Sequence, residues 1–80
     1  MIENKDLIIK EIFTLAVKNH QNNKLDVAYD LYNQVLKVDP KYASAHNNLG
    51  TIFKANLDNL KAKICYEKAI EIDPNYADAH

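Results

Sequence analysis

Eighty residues allow one small domain with a thin core. Ten Lys, eleven acidic residues and no Arg leave the charge nearly balanced, at −1. The fork-shaped cation favoured at phosphate sites is missing, which speaks against nucleic acid or an acidic membrane as the main partner.

The lone Cys65 cannot form an internal disulfide, so a reducing compartment, the cytoplasm, is expected. Charges at Glu3, Lys5, Asp6, Lys10 and Glu11 break up the apolar N-terminal stretch. That pattern is not a signal peptide, and no stretch approaches membrane-spanning length.

The first helix is expected from near Asn4 to near Asn22–Asn23. Leu7, Ile8, Ile12, Leu15, Ala16 and Asn19 follow helical spacing there, with Phe13 and Val17 beside them. Asn accepts the left-handed geometry that closes helices. A second helix is expected over about Leu25 to Val38, with Ala28, Leu31, Tyr32, Val35 and Leu36 as its apolar stripe. Asp39-Pro40 ends it, since proline restricts the residue before it and suits the first turn of a new helix. The third helix covers roughly Tyr42 to Ala55, with Asn56 as its stop. The fourth covers about Asn59 to Ile72 and carries Leu60, Ala62, Tyr66, Ala69 and Ile70. Connections this short make neighbouring helices antiparallel. No strand-period segment competes, so the fold class is all-α.

The chain also repeats itself. Asp39-Pro40-Lys41-Tyr42-Ala43-Ser44-Ala45-His46 recurs 34 residues later as Asp73-Pro74-Asn75-Tyr76-Ala77-Asp78-Ala79-His80, with six of eight positions identical. A fixed period of this length marks a solenoid of stacked units. The units run over 9–42 and 43–76, and 77–80 begin a third, which predicts that the parent protein continues. Such an architecture points to a binding surface rather than to an enzyme.

These residues resemble the tetratricopeptide repeat. In the second unit His46 fills the aromatic slot, followed by Leu49-Gly50, Phe53, Ala62, Tyr66 and Pro74. The first unit offers Ile12, Leu15-Ala16, Asn19, Ala28, Tyr32 and Pro40, departing from the pattern at Ile12, Ala16 and Asn19. Small residues at these slots let helix backbones approach, and large ones fill the space between.

No Ser-His-Asp, Cys-His or phosphate-loop arrangement is visible, so no catalytic residue, metal site or cofactor is expected. His46 and His80 lie one repeat apart, but their slot is the aromatic packing slot of the repeat. Cys65 beside Tyr66 reads as a buried structural thiol.

The candidate site is a polar stripe. Ser44, Asn47, Asn48, Thr51 and Lys54 share one face of the third helix. The resemblance implies that this helix lines a concave groove. Asn carries both donor and acceptor groups, so it can hold an extended peptide backbone without demanding a sequence. Ala45-His46-Asn47-Asn48-Leu49-Gly50 is similar to the repeats of O-linked N-acetylglucosamine transferase, whose Asn ladder occupies the slot of Asn48 and holds peptide backbone. Thr14 stands at that slot in the first unit and breaks the ladder. On the first helix the groove would present Lys10, Phe13, Val17 and His20, an apolar centre with basic flanks. Phe13 and Val17 occupy the slots of the family's carboxylate clamp, and Asp78 stands where a Lys would help, so that clamp is not expected.

The expected partner is therefore a protein or peptide bound in the groove. A larger transferase that recruits substrate through these repeats is an alternative, and self-assembly is another. For self-assembly, Leu7 and Ile8 at one end and Ile64, Tyr66, Ile70 and Ile72 at the other are expected to be partly exposed.

Overall fold

The computed structural model describes residues 4–75. Within them are four helices: α1 (Asn4–Gln21), α2 (Leu25–Val38), α3 (Ala43–Ala55) and α4 (Asn59–Ile72). All regular structure among the described residues is helical. No helix there is long and apolar enough to cross a membrane. The start of a third repeat at 77–80, along with Tyr76, Asp78 and His80, lies outside the described residues.

The helices form two compact hairpins, α1 with α2 and α3 with α4. In the first, Ile9 and Ala16 of α1 and Ala28, Tyr32 and Val35 of α2 are buried. Alanines at these positions let the two backbones approach closely, and the Tyr32 ring fills the remaining width beside Phe13, 5.8 Å between ring centroids. The covered side of α1 is rotated from its expected stripe and centres on Ile9, Phe13 and Ala16. Leu7, Ile8 and Leu15 are each about half exposed.

In the second hairpin Ala45, Asn47, Leu49, Gly50 and Ile52 of α3 are buried, with Ala62 and Ala69 of α4. Tyr66 lies with its ring edge against Gly50. A Cβ built there would come within 2.7 Å of Tyr66 Cε1. Tyr66 itself is half-buried rather than fully enclosed like Tyr32, as are Ile70, Ile72 and Cys65, while Ile64 is exposed.

The two hairpin turns are copies of each other. In the first, Lys24 N–H donates to Asn19 O at 2.8 Å and Asn23 N–H to His20 O at 3.0 Å. In the second, Asp58 N–H donates to Phe53 O at 2.8 Å and Leu57 N–H to Lys54 O at 3.0 Å. This is the Schellman closure, in which one residue takes left-handed backbone. That residue is Asn23 at φ 61° in the first turn and Leu57 at φ 63° in the second. Asn56 caps α3 as expected, and Leu57 after it takes the left-handed turn. Asn suits this geometry, whereas Leu adopts it against a steric cost of about 1–2 kcal/mol.

The next helix begins immediately. The Asp58 carboxylate accepts from Lys61 N–H at 3.3 Å and caps α4. Lys24, at the equivalent position, gives α2 no side-chain cap.

Candidate functional site

The stripe foreseen on α3 is present, and its members differ in exposure. Thr51 and Lys54 are exposed, Ser44 and Asn48 are half-buried, and Asn47 retains only 7% of its surface. Asn47 Nδ2 donates to Asn48 Oδ1 at 3.3 Å, which turns the Asn48 amide. Asn47 Oδ1 is buried and accepts no hydrogen bond. An orphaned buried acceptor costs about 1–3 kcal/mol. Asn47 thus stands behind Asn48 rather than on the surface.

Thr51 Oγ1 donates to Asn47 O at 3.3 Å, the i−4 bond typical of helical Thr. It also lies 3.3 Å from Tyr66 Oη on α4. Lys54 extends from the last turn of α3. Ser44 stands in the first turn of the same helix.

On α1, Phe13 and Val17 are half-buried and share a shallow depression with Thr14, Lys18 and Gln21. Lys10 opens onto an adjoining depression with Leu7, Glu11 and Leu15. Thr14 edges both, and its hydroxyl donates to Lys10 O at 2.8 Å. Phe13 serves packing as well as surface, through its contact with Tyr32. His20 Nδ1 lies 2.9 Å from Tyr32 Oη, with the rings edge to face. Burial holds the His20 imidazole below its ordinary pKa of 6.5.

Both hairpins thus use a tyrosine of the second helix to reach a polar residue of the first. Reasoning from sequence assigned Tyr32 and Tyr66 to space filling alone. The usable signal was the hydroxyl itself, since the repeat pattern asks for Phe at that slot.

Burial pushes the Cys65 thiol up, against a smaller downward pull from Lys68, so it stays protonated at neutral pH. Among the described residues no three His, Cys, Asp or Glu side chains group to hold a metal ion.

Two family comparisons bear on this geometry. Residues 19–56 match the family described as TPR repeat, and residues 43–76 match Tetratricopeptide repeat. The chain carries tetratricopeptide repeats over residues 19–76. Its α-hairpin solenoid fold is shared by a solved structure, the crystal structure of MamA, at a TM-score of 0.83 and 25% sequence identity. The match covers 89% of this chain and 42% of the MamA chain, so this tetratricopeptide protein spans less than half of that neighbour's length. No curated protein matches the chain. As a tetratricopeptide repeat chain it is a protein-interaction or scaffold module.

Proposed function

We propose that the chain binds an extended peptide segment along the first helix of each hairpin, with Asn48 as the main backbone contact. The observation that carries this reading is the amide pair on α3. Asn47 donates to Asn48 Oδ1, and Thr51 closes on Asn47 O from the following turn. The first bond orients the Asn48 amide before any partner arrives, and the second fixes the Thr51 hydroxyl one turn on, which lowers the ordering cost of binding. Asn48 stands at the slot from which the ladder of similar repeats holds peptide backbone. Phe13 and Val17 on α1 supply an apolar seat, with Lys10 and Lys18 at its margin.

Titration of a panel of unrelated extended peptides tests the reading. Asn48→Ala should weaken each of them by about 1 kcal/mol, the net worth of an ordinary hydrogen bond. Loss confined to one peptide sequence, or no loss, sinks the backbone role.

A further inference from the structure

The 34-residue period allows the outer faces of α2 and α4 to be compared slot by slot. The outer face of α4 carries Leu60 and Ile64, 71% and 48% exposed, with Leu57, 84% exposed, in the turn before it. At 100° per residue this stripe lies opposite Ala62, Tyr66 and Ala69, which turn toward α3. The corresponding slots on α2 hold Asn23, Asp26 and Asp30, all exposed. The margins invert as well. Lys61 and Lys63 edge the α4 stripe, where α2 has Val27 and Tyr29, both exposed.

One repeat therefore shows acid bordered by apolar side chains, and the other shows apolar side chains bordered by base. Three large aliphatics on water are the feature that needs a partner.

We propose that the outer face of α4 docks on the outer face of α2 of a second copy of this chain. Charge selects that occupant. Lys63 and Lys68 on α4, and Asp26 and Asp30 on α2, have no ion-pair partner among the described residues. Val27 and Val38 lie along one margin of α2 and are both exposed. Seating that margin on Leu60 and Ile64 carries Asp26 and Asp30 over one flank of the stripe, that of Lys68 and of Lys61, whose contact with Asp58 is a long 3.9 Å. Opposite charges then meet at the rim and apolar groups meet at the centre. The patch is smaller than a standard interface of about 1,200–2,000 Å². The pair is weak and reversible.

Sedimentation equilibrium of the 80-residue chain over a wide concentration range tests the pairing. The weight-average mass should rise above 9.2 kDa with concentration. Leu60→Asp with Ile64→Asp copies the residues of the equivalent α2 slots, and should hold the chain at monomer mass with unchanged helicity. The deciding measurement is a charge exchange. A Lys61→Asp, Lys68→Asp chain and an Asp26→Lys, Asp30→Lys chain should each be monomeric alone, and their mixture should associate. A monomer mass at every concentration overturns the proposal. So does association that survives both charge variants separately. Association abolished by Leu15→Lys but retained by Leu60→Asp with Ile64→Asp places the contact on α1 and overturns it too.

Discussion

Gly50→Ala sets two effects of known size against each other. In a helix interior alanine is favoured over glycine by about 0.8–1 kcal/mol. The new methyl, however, would stand 2.7 Å from Cε1 and 2.9 Å from Cδ1 of Tyr66, closer than carbon atoms approach. The ring must retreat by several tenths of an ångström. It is rigid, and its hydroxyl lies 3.3 Å from Thr51 Oγ1, a contact the retreat would stretch. Overpacking of this kind costs about 1–3 kcal/mol. The clash outweighs the propensity gain over most of that range, and the net loss is about 0–2 kcal/mol. For a domain of this size each kcal/mol moves the midpoint by about 4–8 °C. Thermal melts followed by circular dichroism should therefore show a fall. Truncating the ring should remove most of the penalty, so that Gly50→Ala costs little in a Tyr66→Leu background. A midpoint that rises in the single variant would mean that the ring yields freely and backbone propensity alone governs the site.

Two further outcomes follow from the hairpin turns and from His20. Asp58→Ala removes the carboxylate that accepts from Lys61 N–H, and should cost about 1 kcal/mol in denaturant titrations; Lys24→Asp supplies the missing cap to α2 and should gain a similar amount. The His20 pKa is lowered in the folded chain, so the unfolded chain binds the extra proton first. Stability should hold above pH 6.5 and fall as the pH drops through 6.5 toward the lower folded value. His20→Gln should flatten that part of the stability profile, and an unchanged profile would show that His20 does not titrate with folding.

Helix limits were legible wherever a strong local signal stood at the end. Asp39-Pro40 and Asp73-Pro74 mark the ends of α2 and α4, and both helices run over the expected residues. The repeat made the pairing of α1 with α2 and of α3 with α4 readable from connection length. Apolar residues surround α1, so spacing alone did not select its covered face: Ile9 and Ala16 share one side and are buried, whereas Leu7 and Leu15 lie roughly opposite and stay exposed. Asn56 was the better turn residue by propensity, but the hydrogen-bond pattern of the turn places the left-handed backbone one residue later, on Leu57. The polar stripe of α3 was visible as spacing. The division of labour within it was not, because the burial of Asn47 and the reach of Tyr66 to Thr51 depend on packing outside the stripe.

The turns have a consequence for how such a chain can change length. Lys24 and Asp58 each close one helix through their N–H and open the next as its N-cap. No residue in either turn is spare. An extra residue would have to leave the Schellman closure, abandon the cap, or enter the second helix. In the last case everything beyond it rotates by about 100°, carrying Ala28 or Ala62 off the contact face. Substitution is therefore the tolerated form of change inside each hairpin. Insertions and deletions are confined to the stretch between the two hairpins, after Asp39.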